Sequence, residues 1–522
     1  MRNFLNFSLA ALLAAIATAC GGGGGASSDA IAAGNDTATT PPVTNQPPTQ
    51  PADPLDEELR VLIEDHGLSG DASFNRTLPS ITDPLPQLGK VLFFSKSLGG
   101  GFDAACVTCH HPNLGGADGL SLPVGVGANS PDLLGPGRTH GSGVPNVPRN
   151  SPTVFNAGLW DSGLFWDSRV ESFGKEEFAN GSVSDIRTPD TPFPTVDPAA
   201  GANLAAAQAR FPVTSADEMK TTTFEIGGSN TDVRNHLAAR IGGYGIGAGE
   251  LGNNNWLALF QDALGSGTAE DLITFDNIAH ALGEYERSMV FVEHAFGAYV
   301  KGDNDALTDQ QKQGAILFFT DAENGGGGCA NCHSGDRFTD EAHHLIAFPQ
   351  IGHGKGDGNG DDFGRARETG DDSHRYHFRT PSLLNIAVTA PYGHAGAYAT
   401  LDEVLSHYNN PRGTVDDFFD DGGVCSLAQF ADNADCETLY PAAVANSKLA
   451  LDRLAEERRA GVAQFVDTDL NGNERAAIVA FLEALTDPCV IDPACMAPWV
   501  ANPAEDPDGN QLDAVDNLGN PL

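Results

Sequence analysis

"CANCHSG", residues 329–335, holds two cysteines two residues apart with a histidine directly after the second. The pattern occurs once more, as "CVTCHHP" at residues 106–112. Composition gives a chance expectation of about 0.004 for one such pentapeptide in this chain, so two copies need a chemical reason. A zinc ribbon would fold both Cys-x-x-Cys units on one metal, usually with no histidine after each. A thioredoxin-like dithiol would need a βαβ context and a single copy. A covalent haem anchor needs what is present: two sulfurs to bond the porphyrin and an adjacent histidine to reach the iron. The sequence therefore predicts two covalently bound c-type haems, attached through Cys106 and Cys109 and through Cys329 and Cys332, with His110 and His333 as proximal ligands.

Two such anchors in 522 residues imply two haem domains of similar plan. In "EDLITFDNIAHALGEYERSMV", Leu272, Phe275, Ala279, Leu282 and Met289 keep helical spacing, as do Ile478, Phe481, Leu482 and Leu485 in "NERAAIVAFLEALTD". No sustained period-2 alternation appears. The predicted fold is mainly α: two cytochrome c-like haem domains packed together, with long Gly/Pro-rich loops and little β.

The ends of the chain read differently. Arg2 and the apolar run from Phe4 to Ala19, ending in "ATAC" before five glycines, resemble a bacterial lipoprotein signal that leaves Cys20 as a lipid anchor. An ordinary secretory peptide cut near Ala19 is the alternative. Residues 21–55 read as a flexible linker. The expected organisation is a signal over 1–20, this linker, an N-terminal haem domain over 56–300, a C-terminal one over 301–488 and an acidic tail over 489–522. Either signal implies export, to the periplasm or to an outer-membrane anchorage. Of nine cysteines, Cys425, Cys436, Cys489 and Cys495 then remain. In an oxidising compartment they pair most simply as 425–436 and 489–495. Lys and Arg number 29 against 70 Asp and Glu, a formal charge of −41. Such a surface repels phosphate backbones, which excludes nucleic acid as a partner and suits a cationic protein.

Longer segments around the anchors carry a family resemblance. "LGKVLFFSKSLGG", "RNSPTVFNAGLW", "FWDSR", "GAILFF", "CHSGDRFTD", "FRTPSLLNIAVTAPYGHAG" and "TLDEVLSHYN" occur in order between about residues 85 and 488. The chain resembles the bacterial di-haem cytochrome c peroxidase family, which includes MauG-type enzymes. The resemblance implies a peroxide-reacting N-terminal haem, a C-terminal haem for electron entry or storage of oxidising equivalents, and a tryptophan and a calcium ion between them. The tryptophan is Trp166. The glutamate that moves the peroxide proton is Glu218, six residues after Pro212 and just before Met219; Glu176 stands where the family has a glutamine. His140, in a Gly-rich loop, is a candidate resting-state ligand of the N-terminal iron. Calcium would take Asn150 with Thr389 and Pro391, oxygen donors that suit the ion. Implied partners are hydrogen peroxide and either a small electron donor, such as a cytochrome c or cupredoxin, or a protein substrate. The family includes dimers, which leaves a homodimer open.

The sixth ligand of the second iron separates members of the family. Members that use methionine there cannot be matched here, because Met1, Met219, Met289 and Met496 all lie outside the required segment. Fourteen residues after His394 stands Tyr408, where MauG-type members have their tyrosine. Helical spacing agrees: Thr400 and Glu403 form a capping-box pattern, and Leu401, Val404, Leu405 and Tyr408 share one stripe, with His407 about 100° away. A phenolate favours Fe(III) and lowers the potential. The expected function is peroxide reduction at the N-terminal haem, with MauG-like oxidation of a partner protein's side chains as the alternative. A different class, a non-catalytic di-haem electron carrier, would need both irons coordinatively saturated. Two acidic look-alikes, "DTDLNGN" at 467–473 and "GDGNGDD" at 356–362, read as turns. The first lacks the glutamate an EF-hand needs at its twelfth position.

Overall fold

A computed structural model describes residues 53–522. The signal, Cys20 and nearly all of the linker lie outside them. Helices dominate; among the described residues the strands are two or three residues long, in one three-stranded and one two-stranded antiparallel sheet.

Two helix pairs build the two haem halves. Pro84–Phe94 crosses Phe275–Ser288, and Asp309–Phe319 crosses Gly472–Glu483. The crossings are alike in detail. A Cβ on Gly89 would lie 1.9 Å from the Ala281 carbonyl oxygen, and one on Gly314 would lie 1.9 Å from that of Ala477. Glycine is therefore required where each pair of backbones touches. Around the first crossing Leu92, Phe93, Ile278, Leu282 and Tyr285 are buried; around the second, Phe318, Phe338, Ile478 and Phe481.

The first described helix and the C-terminal segment join the opposite cores. Leu59 and Ile63 of the helix Pro54–Asp65 are buried in the cluster of the second crossing. Val490, Met496, Ala501 and Leu512, within residues 489–522, are buried in that of the first. The expected disulfides Cys425–Cys436 and Cys489–Cys495 are both formed, with Cα–Cα distances of 5.2 Å.

The first look-alike is a helix start: Asn471 caps Gly472–Glu483 with Glu474 as its reciprocal partner. The second is more than an acidic turn. Asp361 and Asp362 are buried, and Asp362 holds Arg149 through two hydrogen bonds of 2.7 Å.

Short strands aim the segment "FWDSR". Gly163–Leu164 pairs with Val170–Ser172, Leu164 opposite Val170, so residues 165–169 form the loop of a hairpin. His343–His344 pairs with Phe378–Arg379, and the Arg379 N–H donates to the Trp166 carbonyl at 2.8 Å.

Candidate active site

Each Cys-x-x-Cys-His unit lines a cavity. The larger, about 490 Å³, is bounded by Cys329, Cys332 and His333 on one side, with Leu405, Tyr408, Phe378 and His394 elsewhere on its wall. That volume lies in the range of cofactor pockets. The smaller, about 100 Å³, is lined by Cys106, Cys109, His110, Pro212, Glu218 and Glu286 among others.

The donor chemistry fits haem at both places. His110 Nδ1 lies 3.1 Å from the Gly116 carbonyl oxygen, and His333 Nδ1 lies 3.1 Å from that of Phe338. A carbonyl can only accept, so each Nδ1 carries the proton and each Nε2 keeps a free lone pair for a metal. Burial lowers the pKa of both imidazoles and keeps them neutral, the form that ligates. Burial also pushes the Cys106 and Cys109 thiols well up, and that of Cys329 to about 12.

Trp166 stands between the cavities and lines both, as do Asn150, Ser151 and Pro152. Its indole N–H donates to the Asn150 carbonyl at 2.9 Å. The next residue, Asp167, accepts from Arg149 at 2.7 Å. Burial works against the Asp167 carboxylate, but Arg149, Arg169 and Lys355 hold its pKa well below the usual range. The bridge is thus fixed by backbone hydrogen bonds on one side and a buried ion pair on the other.

Tyr408 lies on the wall of the larger cavity, its ring edge-on to Phe465 at 5.4 Å. The capping box that starts its helix, Leu401–Asn409, is formed as the sequence predicts. His407 is fully buried and committed elsewhere: Nε2 donates to the Ile346 carbonyl at 2.9 Å, and Nδ1 accepts from the Tyr398 hydroxyl at 2.8 Å. Burial, followed by the Cys329 and Cys332 thiols, raises the Tyr408 phenol. A cation opposite would reverse that.

Pro212 and Glu218 share the smaller cavity with His110. Glu218 sits in the wide turn Ala216–Lys220, its N–H donating to the Ser215 hydroxyl at 3.3 Å. Two other expectations meet a different placement. Glu176 is exposed and lines neither cavity. His140 is likewise outside both linings. Its Nδ1 bonds the Ser142 hydroxyl at 2.6 Å and its ring lies on Gly127. Asn150, Thr389 and Pro391 all line the larger cavity. The Asn150 amide N–H donates to the Leu120 carbonyl at 2.9 Å, which leaves its oxygen as an acceptor; the set offers calcium oxygens but no charge.

Two crevice residues escape sequence reasoning. Glu286 is buried against the smaller cavity, its carboxyl with no hydrogen-bond or ion-pair partner among the described residues, and burial pushes its pKa up to about 8. Its signal was legible: it follows Leu282 by four on an apolar helix stripe. Lys355 reaches the same cavity from a glycine-rich loop that carries no periodic pattern.

The sequence comparisons agree with this arrangement. The family model described as di-haem cytochrome c peroxidase matches residues 84–305. The methylamine utilization protein MauG of Methylorubrum extorquens is 30% identical over 330 residues, 63% of this chain and 69% of that protein. The chain belongs to the di-haem cytochrome c peroxidase family. A cytochrome c551 peroxidase of Pseudomonas aeruginosa is 28% identical over 332 residues, 64% of this chain and 73% of that one. Among solved structures, a MauG-like protein associated with microbial copper homeostasis has a TM-score of 0.50 at 21% identity, covering 82% of this chain and 97% of that one, a likeness of fold. Membership makes this di-haem peroxidase-family protein an oxidoreductase and implies two c-type haems.

Proposed function

We propose that the protein is an exported di-haem peroxidase that reduces hydrogen peroxide at the N-terminal haem and shares the oxidising equivalents through the C-terminal haem. The observation that carries this reading is the inequality of the two cavities: Glu218 and Pro212 beside His110 in one, Tyr408 beside His333 in the other, and Trp166 on the wall of both. The haems supply the redox chemistry when bound, held by Cys106, Cys109 and His110 and by Cys329, Cys332 and His333. Glu218 takes the proton from one peroxide oxygen and returns it to the departing one. Trp166 supplies an aromatic path between the halves. Asn150, with Thr389 and Pro391, would hold calcium beside it. Two disulfides support export to an oxidising compartment.

Tyr408 favours a second reading, MauG-like oxidation of side chains on a partner protein, because a phenolate-ligated iron accepts electrons poorly from a cytochrome. Rapid mixing of the reduced holoprotein with peroxide tests both. Turnover with a cytochrome c or cupredoxin supports the peroxidase. A persistent oxidised spectrum with no such turnover supports the second reading. Absence of any reaction overturns both and leaves an electron carrier.

A further inference from the structure

We propose that Lys355 places an unpaired positive charge in the N-terminal haem crevice, where it binds small anions, the hydroperoxide anion being the one the reaction forms. Three cations line this cavity: Arg149, Arg169 and Lys355. Two are committed. Arg149 is held by Asp167 and Asp362, each at 2.7 Å. Arg169 pairs with Asp167 at 3.3 Å and lies over the Phe165 ring. The Lys355 ammonium has no ion pair or hydrogen bond among the described residues, not even to Glu218 on the same wall. Lys355 is half-buried, and an ammonium facing a crevice with no counter-ion in contact favours an anion beside it.

The loop is built to hold that lysine in place. A Cβ on Gly354 would lie 2.6 Å from the Gly360 carbonyl oxygen, and one on Gly356 would lie 2.3 Å from that of Asp361, so the loop is folded tightly on itself. Asp362 ties it to Arg149, while Asp361 accepts from Arg375 at 2.8 Å and from the Tyr376 hydroxyl at 3.0 Å. Burial and then Arg169 pull the Lys355 ammonium down to about 8 against the opposing pull of Glu218, which leaves it mainly protonated at pH 7. Peroxide becomes an anion when Glu218 removes its proton, and Lys355 offsets that charge inside a low-dielectric crevice.

This rests on the N-terminal haem being the peroxide site, and the test separates the two claims. Fluoride is titrated into the ferric holoprotein, read by absorption of the N-terminal haem, for wild type, Lys355→Met and Lys355→Arg at equal haem content and Tm. Losing a charge-assisted contact should weaken fluoride about tenfold or more in Lys355→Met, while Lys355→Arg stays within about threefold of wild type. Unchanged affinity in Lys355→Met overturns the proposal. Wild-type protein that binds no fluoride at this haem overturns the peroxide-site reading and this proposal with it.

Discussion

Tyr408 and His407 are neighbours, and the helix assigns them opposite tasks. The stripe of Leu401, Leu405 and Tyr408 faces the larger cavity, while His407 spends both ring nitrogens on Ile346 and Tyr398. Exchanging the hard phenolate for a thioether in Tyr408→Met should raise the potential of the C-terminal haem by on the order of 100 mV, as axial ligands do. A redox titration that returns the wild-type value removes Tyr408 from the iron. At the other crevice, Glu286 is a buried carboxyl that forms no ion pair among the described residues. Its folded pKa of about 8 lies above the ordinary 4.5, so the folded state holds the proton more tightly. Stability from this group is therefore intact below about pH 4.5 and lost as pH rises through 8. Glu286→Gln keeps the shape without the titration. It should match wild type near pH 4 and become the more stable protein toward pH 8, the gap widening by up to about 1.4 kcal/mol per pH unit. Parallel melting curves across that range would contradict the buried, unpaired carboxyl.

At the scale of elements, the same crossing is used twice. "LGKVLFF" and "QGAILFF" supply the first helix of each pair, and the glycine in each is where the partner's carbonyl lies 1.9 Å from a would-be Cβ. Gly89→Ala and Gly314→Ala should each cost about 1–3 kcal/mol by pushing paired helices apart, although alanine is the better helix former. Each should loosen its own haem half, read by the thermal transition of that half's haem absorption. The partner helices Phe275–Ser288 and Gly472–Glu483 were legible because they are periodic; the haem anchors were legible because their chemistry fixes their spacing. The loops were not. Lys355 and the Asp362–Arg149 pair join segments more than two hundred residues apart, a pairing set by tertiary contact alone. His140 shows the converse. A histidine at a plausible distance in sequence bonds Ser142, two residues away, and lines neither cavity.

Across the described residues, the two halves are stitched by the helix Pro54–Asp65 and by residues 489–522. Residues 489–522 read as an acidic tail because their charge is visible in the sequence, while their few apolar anchors are scattered. In the fold those anchors matter more. Leu512 and Met496 are buried in the N-terminal core, and the Leu512 N–H donates to the Phe94 carbonyl at 2.9 Å, the last residue of the helix Pro84–Phe94. Asp508 accepts from the buried Trp256 indole at 2.6 Å and from the Ser97 hydroxyl at 2.8 Å. Burying each large apolar side chain is worth about 1.5–3 kcal/mol, so two or three of them approach the whole stability of an ordinary domain. Removing residues 496–522 should therefore unfold the N-terminal half while leaving the C-terminal haem half protected, because the apolar residues lost belong to the first core. Leu512→Ala is the milder form, with an expected loss of about 2–5 kcal/mol. Limited proteolysis with identification of the cleaved bonds checks both: cuts should concentrate within 84–288. Cuts spread evenly over both halves would mean that the tail stabilises the molecule generally and that the two cores do not unfold apart.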